Sequence, residues 1–451
     1  MKTYSKVLAL VVIFVLAATV TLTGCGQSNQ ASAPAESTGK AEETKTEPGA
    51  EKPAVKPKVT FWTLDADDYR RGMSKCLPLA ANDAEVEATY IPDTQYENKL
   101  RVAIAGNNSP DVISIDSPTL ASYIAKGTLS SLDEFWDAAD RDDLVNSSKE
   151  AFTYDGKMWA APLNETNCVL YYNKEMFEKA GLTAAETVDQ AWTWEQVRDA
   201  AVKLTQKDAG GKVTVYGILP LMAGPNVAHE GQNYVSNIWT WTAGADIISP
   251  DGTTVKGYFD SEKSLKALTF FGELFTKYKV APLQDIPNGF QDKKIAMWIT
   301  GPWMASAFDN VEGLKWGAMP LPKDEKQVSN SGGWSLGMSA TAKDKNAAFK
   351  VISAITGKDG MREWCKETKN LPARKSLFAD PALDFLQKAP YPMILDQLGK
   401  NAKARPVTPA YPIIAQALQK CFNDVAYGKD PAKAMAEYSK IIEDGLKAEK
   451  K

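Results

Sequence analysis

Polar side chains that bind hydroxyl groups follow the ends of several predicted strands. They come after "VTFW", after "DVISI" and after "MWAAPL", and are Asp65, Asp67, Asp68, Asp116, Asn164 and Glu165. Carboxylate and amide oxygens accept hydrogen bonds in fixed geometry, so a site built from them rejects ligands that lack the matching hydroxyl. Each acidic residue could equally be a helix cap or a solvated loop residue.

Catalytic chemistry has weaker support. The stretch "GWSLG" matches the G-x-S-x-G turn of α/β hydrolases, with Ser335 as nucleophile, but those enzymes need a histidine after the serine. The single histidine, His229, precedes it. A glycosidase needs two carboxylates, and nothing singles out a pair among the 56 acidic residues. No nucleotide motif and no C-x-x-C is present, so we expect no enzyme, no cofactor and no metal.

The elements that would position these side chains alternate between strands and helices. The predicted strands are "KVTFWT", "EVEATYIP" and "PDVISID", and the predicted helices lie within 65–82, "TQYENKLRVAIAG" and "SPTLASYIAKG". This α/β pattern predicts a mostly parallel sheet with helices on its faces. Ligands bind beyond the carboxyl ends of such strands, where the polar residues stand.

The start of the chain predicts export and a lipid anchor. Residues 1–24 have a short basic start and an apolar run, and "LTGC" then resembles the lipobox of bacterial lipoproteins, with Cys25 as the acylated (for example palmitoylated) residue. An ordinary signal peptide with a chance Cys is the alternative. Residues 25–57 lack aromatics and predict a disordered tether, a coil of roughly 30 Å. We therefore expect a membrane association through lipid alone, on the extracellular face of a cell without an outer membrane.

The charge balance excludes one class of partner. Removing residues 1–24 removes two lysines, which leaves 50 basic and 56 acidic residues. An acidic chain of this kind gives no electrostatic reason to expect nucleic acid binding.

Four segments carry a family resemblance: "APLNETNCVLYYNKEMFEKAGL" with "TWEQVRDAAVKL", "FQDKKIAMWITGPW", "SGGWSLGMSATAKDKNAAFKVISAIT" and "VAYGKDPAKAMAEYSKIIEDGL". They resemble the extracellular solute-binding proteins of family 1, the maltose-binding-protein-like receptors of ABC importers. The chain departs from that pattern at Lys293-Lys294, where the family usually has a glycine-lysine pair.

The resemblance implies a two-lobed periplasmic-binding-protein-like fold, with a mostly parallel sheet in each lobe and hinge closure on a ligand. Three crossovers are expected near Asn164, Trp334 and Leu377. Lobe 1 would be residues 58–163 and 334–376, and lobe 2 residues 164–333 and 377–447. If the four remaining cysteines pair, Cys76–Cys365 and Cys168–Cys421 are favoured because each stays within one lobe; buried free thiols are the alternative.

The resemblance also implies where a ligand binds. The tryptophan of "GPW", Trp303, faces the ligand in this family, and a flat aromatic side chain can cover the C–H face of a sugar ring. The other residues expected in the cleft are Trp62, Tyr96, Trp239, Trp241, Asp246, Trp334 and Arg374. Some of these residues could instead belong to the core.

The function that follows is a monomeric receptor that binds a carbohydrate, an oligosaccharide, and delivers it to an ABC permease. The alternatives are a receptor for a non-sugar solute such as a glycerol phosphate, or a lipid-anchored glycoside hydrolase. A phosphate ligand would require more than one arginine or lysine in the cleft. A role in sensing is not excluded by the sequence.

Overall fold

The computed structural model describes residues 55–227 and 231–449. The predicted signal peptide (1–24), Cys25, His229 and all but the last three residues of the predicted tether (25–57) lie outside the described residues. Within the described ranges, no helix is both long and apolar enough to cross a membrane.

Fifteen strands lie in the described part of the chain. In order they are β1 Lys58–Leu64, β2 Glu85–Ile91, β3 Val112–Asp116, β4 Leu129–Ser130, β5 Thr153–Tyr154, β6 Lys157–Met158, β7 Ala160–Pro162, β8 Val169–Asn173, β9 Gln206–Lys207, β10 Val213–Val215, β11 Met297–Thr300, β12 Trp316–Met319, β13 Ser329–Ser331, β14 Trp334–Ser339 and β15 Ala402–Ala404.

Fifteen α-helices connect them in the same ranges. They are α1 Asp67–Cys76, α2 Asp93–Ala105, α3 Leu120–Ala125, α4 Ala138–Asp142, α5 Asn146–Phe152, α6 Lys174–Lys179, α7 Trp194–Leu204, α8 Gln232–Thr242, α9 Glu262–Thr276, α10 Ala305–Asp309, α11 Lys345–Thr356, α12 Lys358–Thr368, α13 Tyr391–Asn401, α14 Tyr411–Ala426 and α15 Pro431–Ala448. Short 3-10 helices include Ser117–Thr119 and Pro302–Met304.

The first sheet confirms the predicted strands and their helices. Its order is β2-β1-β3-β14-β4, with β7 also beside β14. Strands β2, β1 and β3 are parallel, as strand–helix–strand connections require, and β14 runs antiparallel to β3. The carboxyl ends of β1 and β3 therefore meet at one edge, and the helices α1 and α2 begin there.

The second sheet differs from the expectation. Its order is β11-β8-β12 and both pairs are antiparallel, so the predicted mostly parallel sheet is wrong for this lobe. The pairing explains why: Val169 at the start of β8 lies opposite Thr300 at the end of β11. Likewise, β14 starts at Trp334, opposite Asp116 at the end of β3. A strand that follows a connection between the lobes starts at the edge where its neighbour ends, so the two run in opposite directions.

Two hydrophobic cores accompany the two sheets. The first contains Phe61 and Trp364, and the second contains Trp194, Trp239 and Trp241, all with at most 1% of their surface exposed. The α/β class is confirmed by these sheets and cores. The lobe boundaries stay a prediction.

The four described cysteines are buried and free, so neither Cys76–Cys365 nor Cys168–Cys421 is bonded in this structure. Burial raises the pKa of the Cys76 thiol to about 12, and that of Cys168 to about 12. The Cys76 thiol donates to the Gly360 carbonyl at 3.3 Å. Protonated thiols packed in apolar surroundings are inert, which fits the free-thiol interpretation.

Lys293 adopts a backbone conformation that favours glycine, with a φ of 60°. Left-handed backbone costs a residue with a Cβ about 1–2 kcal/mol, and the exposed Lys293–Glu175 ion pair at 3.1 Å returns only about 0–1 kcal/mol. We therefore expect Lys293→Gly to raise the free energy of unfolding by about 0.5 kcal/mol in urea titrations. The matched control is Lys294→Gly, because Lys294 does not have a positive φ. This control should lower the free energy of unfolding by about 0.5–1 kcal/mol. If both variants lowered the free energy of unfolding equally, backbone strain at Lys293 would be contradicted.

Candidate ligand-binding cleft

A cavity of about 370 Å³ lies where the two sheets and their connecting segments meet. The ends of β1 and β3 and the helices α1 and α2 form one wall. The opposite wall is formed by Met222, Ala223, Gly231, Tyr234, Trp298 of β11 and the "GPW" turn. The lining residues are Leu64, Ala66, Asp68, Tyr69, Asp93, Glu97, Asp116, Asn164, Thr166, Met222, Ala223, Gly231, Tyr234, Trp298, Trp303, Met304, Gly332, Gly333, Trp334, Asn370 and Arg405.

Aromatic side chains provide flat surfaces on both walls. Trp303 is half-buried, with its ring 6.0 Å from that of Tyr234. Gly301 makes this position possible, because a Cβ there would lie 1.8 Å from the Trp303 ring. Trp334 is held edge-on by Tyr69, at 6.2 Å between ring centroids, and by Tyr96, at 5.9 Å. Two tryptophan side chains thus line the same cavity: Trp303 from the 3-10 helix after β11, and Trp334 from the start of β14.

Acidic side chains concentrate on the wall made by the two N-terminal helices. Asp68 lies in the first turn of α1, and Asp93 and Glu97 lie at the start of α2. Burial raises the pKa of Asp68 to about 6, and the nearby Asp93 carboxylate adds to the increase. Burial also raises the pKa of Tyr69 well above its ordinary value, and the carboxylates of Asp68, Asp93 and Asp116 reinforce this.

A buried ion pair closes the floor of the cavity. The Arg405 guanidinium donates to both carboxylate oxygens of Asp116, at 2.5 and 2.7 Å. It also lies 4.6 Å above the Tyr234 ring. Burial opposes the charge of Arg405, but Asp116 and Tyr411 more than offset this, so its pKa is raised. Arg405 is therefore a fixed cation whose charge is already neutralised in part by Asp116.

The segments around Glu165, Gly332 and Leu371 are hydrogen-bonded to one another beside the cavity. Glu165 accepts from the Gly332 N–H at 2.9 Å and from the Thr166 N–H at 3.0 Å, while its other oxygen accepts from Ser147 and Ser148. Its own N–H donates to the Leu371 carbonyl at 2.9 Å. This network joins the three segments near which crossovers were predicted.

Four of the sequence-predicted site residues line the cavity: Asp116, Asn164, Trp303 and Trp334. Two more lie behind it. The Tyr96 hydroxyl accepts from the Ser114 N–H at 3.0 Å and lies within donating distance of the Ser114 and Trp62 carbonyl oxygens, at 2.9 and 3.1 Å. Tyr96 is fully buried and therefore supports Trp334 from within the core. Glu165 is 1% exposed, and its carboxylate is used by the network of connecting segments.

The remaining predicted site residues lie elsewhere, and their placement in the cleft is corrected. Trp62 packs against the first core on β1, and Asp65 turns outward to Arg70 at 2.6 Å. Trp239 and Trp241 fill the second core. Asp246 pairs with Lys403 in a separate groove. Arg374 is 1% exposed and grips Asp140 with two bonds of 2.8 Å, since a buried guanidinium requires a partner.

Several lining residues were not predicted from the sequence. Asp93 and Glu97 lie in the first turns of α2, and Tyr234 lies in α8, which is buried along its length; no motif marks these side chains. Arg405 follows β15, also in a stretch without a motif. Asp68, by contrast, was named with Asp65 and Asp67 among the polar residues after "VTFW", and of these three it is the one that lines the cavity. Trp298 was not among the residues expected in the cleft, yet it is half-buried at the cavity, with its indole N–H donating to the Leu221 carbonyl.

Ser335 is the second residue of β14 and does not lie at a strand-to-helix turn. Its hydroxyl is buried and donates to the Ile115 carbonyl at 3.0 Å. The geometry of a nucleophile elbow is therefore missing at "GWSLG". Within the described ranges, no group of three or more His, Cys, Asp and Glu side chains could hold a metal ion.

The raised pKa of Asp68 makes stability depend on pH. The pKa of Asp68 is higher in the folded chain than the ordinary 3.8, so the folded chain holds this proton more tightly than the unfolded chain does. The contribution of the proton to the free energy of unfolding is complete below about pH 4 and is lost as the pH rises through 6. We expect Asp68→Asn to remove the loss, so its unfolding free energy should exceed that of the wild type by about 1–3 kcal/mol at pH 8 and match it near pH 4. Urea titrations between pH 4 and pH 8 measure the unfolding free energies of the variant and the wild type.

The control is Asp67→Asn, at the exposed neighbouring residue, which should keep the pH dependence of the wild type. If Asp67→Asn gained as much stability at pH 8 as Asp68→Asn, the assignment of the effect to Asp68 would be contradicted.

Comparison with known proteins gives a consistent family. The model of the family described as "Bacterial extracellular solute-binding protein" matches residues 79–390, more than half of the chain. Among curated relatives, a galactooligosaccharide-binding protein of Bacillus subtilis is 23% identical over 81% of this chain and 84% of its own. A maltooligosaccharide ABC transporter solute-binding lipoprotein of Streptococcus pneumoniae is 23% identical over 78% and 79%.

Solved structures match over the same region. The ABC substrate-binding protein Lmo0181 of Listeria monocytogenes, in complex with cycloalternan, has a TM-score of 0.75 at 24% identity, covering 87% of this chain and 99% of that one. Maltose-bound MalE3 of T. maritima has a TM-score of 0.74 at 24% identity, covering 86% and 99%. These matches confirm the two-lobed fold.

Proposed function

The chain belongs to the bacterial extracellular solute-binding proteins, and from this premise we propose that it binds a carbohydrate, an oligosaccharide, in the cavity between its sheets and serves an ABC importer. The observation that carries the proposal is the pairing of Trp303 and Trp334 with Asp68, Asp116 and Asn164 around one cavity. Indole faces cover the C–H surface of a sugar ring, while carboxylates and amides bind its hydroxyls.

The relatives support the same class of ligand. The names of the Bacillus and Streptococcus proteins record galactooligosaccharides and maltooligosaccharides, and the Listeria and Thermotoga structures hold cycloalternan and maltose. At this level of identity they favour a sugar without indicating which one.

The alternatives gain less from the cavity. A glycerol phosphate needs several cations, and the single cation among the described lining residues, Arg405, is engaged by Asp116. A glycoside hydrolase would also use carboxylates, but the chain belongs to a family of receptors, so we propose binding without turnover.

Delivery to a permease rests on closure of the lobes around the ligand. Closure would press the wall with Trp303 against the wall with Trp334 and bury the sugar, and the network of Glu165 would keep the connecting segments in place. We propose that the closed monomer then docks on the ABC permease subunits, at the extracellular face of the membrane.

Lipid anchoring through Cys25 would keep this receptor beside its permease. We expect Cys25→Ser to abolish labelling of the protein with radioactive palmitate, because the substitution removes the thiol that the lipobox resemblance assigns to acylation. Cys76→Ser, a buried thiol, is the control and should remain labelled. Continued labelling of Cys25→Ser would contradict the anchor.

The proposed function is tested by titrating the mature chain with a panel of glycans, with binding measured by tryptophan fluorescence and by calorimetry. A chromogenic glycoside series is run alongside. We expect saturable binding of at least one oligosaccharide and no release of the chromophore. Hydrolysis of a glycoside would contradict the receptor function. Tight binding of glycerol phosphate, without binding of any sugar, would contradict the carbohydrate as the ligand.

A further inference from the structure

The segments around Glu165 and Leu371 bring two neutral polar side chains to one end of the cavity. Glu165 and Leu371 form an antiparallel bridge, in which the Glu165 N–H donates to the Leu371 carbonyl at 2.9 Å. Thr166 follows Glu165 and Asn370 precedes Leu371, so Thr166 and Asn370 lie opposite each other across this bridge. Both residues line the cavity. These two segments therefore supply polar side chains directly to the cavity wall.

A third polar side chain reaches the same end of the cavity from α1. The Tyr69 ring packs edge-on against Trp364 of α12, at 4.9 Å between ring centroids, and α12 ends two residues before Asn370. Tyr69 also packs against Trp334, at 6.2 Å, and the Trp334 carbonyl accepts from the Leu163 N–H at 2.9 Å, close to the first of the two segments. Tyr69 lines the cavity as well.

The three polar side chains share a property that points to a ligand. Among the described residues, no hydrogen-bond partner is present for the Tyr69 hydroxyl, the Thr166 hydroxyl or the Asn370 side-chain oxygen, and each residue is at most 6% exposed. Buried polar groups in native proteins nearly always have a partner, and leaving one without a partner is costly. The side chains of threonine and asparagine change direction by rotating between staggered conformations. A ligand in the cavity would therefore supply the missing hydrogen bonds.

We propose that Thr166, Asn370 and Tyr69 form a subsite that binds hydroxyl groups at one end of the sugar, beside the Trp334 ring. A sugar hydroxyl both donates and accepts, so it can satisfy the Thr166 hydroxyl and the Asn370 oxygen together. Burial raises the pKa of Tyr69 well above its ordinary value, so its phenol keeps its proton and the subsite is uncharged at neutral pH.

The subsite narrows which sugar is accepted. Its three residues provide hydrogen bonds for neutral hydroxyls and no charge for a phosphate or an ammonium group. A sugar that lacks a hydroxyl at this end would leave their buried polar atoms without partners, and sites of this kind discriminate strongly against such a ligand. This inference rests on the proposed carbohydrate function and adds three residues that determine its specificity.

Substitutions that remove the polar atoms and nearly keep the side-chain shape test the subsite. The mature chain is titrated by calorimetry at pH 7 with maltotriose, mannotriose, galactotriose and the glycan of the panel that binds most tightly. We expect Thr166→Val to weaken the tightest of these about 3-fold or more, and Thr166→Val/Asn370→Leu about 10-fold or more, because sugar hydroxyls lose their partners. Thr166→Ser keeps the hydroxyl and should bind within about 2-fold of the wild type.

The stability of the unliganded chain separates binding from a structural role. The Thr166 hydroxyl has no partner there, so Thr166→Val should leave the midpoint of urea unfolding unchanged or higher. The matched control is Thr242→Val in α8, a fully buried residue that does not line the cavity. Its hydroxyl accepts from the Trp194 indole N–H at 3.2 Å, so this substitution should lower the midpoint and keep the affinity of the wild type.

The outcomes separate the subsite from the carbohydrate function. If a glycan binds the wild type and the double variant loses less than about 10-fold in affinity, the subsite is overturned and the receptor function stands. A lowered midpoint in Thr166→Val would also overturn the subsite, because the hydroxyl would then have a partner in the unliganded chain. If none of the glycans binds the wild type, the subsite and the carbohydrate function are both overturned.

Discussion

Trp303→Ala should weaken carbohydrate binding about 100-fold while leaving the unliganded protein folded. The indole lies on the "GPW" turn, lines the cavity and has its ring 6.0 Å from that of Tyr234. Central aromatic side chains in binding sites commonly contribute 2 kcal/mol or more, and each 1.4 kcal/mol is tenfold in affinity. Calorimetric titration with the tightest glycan of the panel measures the loss.

Two other tryptophans are matched controls for this variant. Trp192 is also half-buried against the second core, stacked on Phe177 at 5.8 Å, but does not line the cavity, so Trp192→Ala should keep the affinity within about 2-fold. Trp239 is fully buried, and Trp239→Ala should cost about 3–5 kcal/mol of unfolding free energy. Trp303→Ala should cost at most about 1.5 kcal/mol. A loss as large as that of Trp239→Ala would place Trp303 in the core and not in the site.

Arg405→Met should lower the free energy of unfolding by about 3–5 kcal/mol, the largest stability effect we expect from a single polar residue. The substitution leaves the Asp116 carboxylate, 14% exposed, without its guanidinium. A buried charge that loses its partner carries its full desolvation cost. Urea denaturation of the unliganded protein at pH 7 measures the change.

The double variant Asp116→Asn/Arg405→Met distinguishes the ion pair from simple packing. Without the carboxylate there is no stranded charge, so at least half of the loss should be recovered. The exposed pair Lys388–Asp384 is the control: Lys388→Met should change stability by less than about 1 kcal/mol. If the double variant is as unstable as Arg405→Met or less stable, the loss comes from packing of the side chain against Tyr234.

The sequence was most informative where one local pattern decides the structure. The alternation in "KVTFWT" and the buried run in "PDVISID" predicted β1 and β3, and from their ends Asp116 could be placed at the cavity. The family resemblance, through its "GPW" motif, predicted the position of Trp303. Both residues stand at or just after the end of a strand, β3 for Asp116 and β11 for Trp303, where the backbone fixes their place.

The sequence was least informative where distant segments decide. Trp239 and Trp241 look like cleft residues next to Gly244, but α8 is buried along its whole length and takes them into the core. Arg374 and Arg405 are both arginines in loops, and only their partners differ: Asp140 holds the first in the core, and Asp116 holds the second at the cavity. Periodicity cannot distinguish such cases, because the partner is far away in sequence.

The central claim is that a sugar binds in the cavity between the two sheets, and a crystal structure of the mature chain with its tightest glycan tests it most directly. We predict a pyranose ring stacked on Trp303, hydroxyls within hydrogen-bond distance of Asp68, Asp116 or Asn164, and the Arg405–Asp116 pair intact. A sugar bound outside this cavity, with Trp303 making no contact to it, would contradict the account.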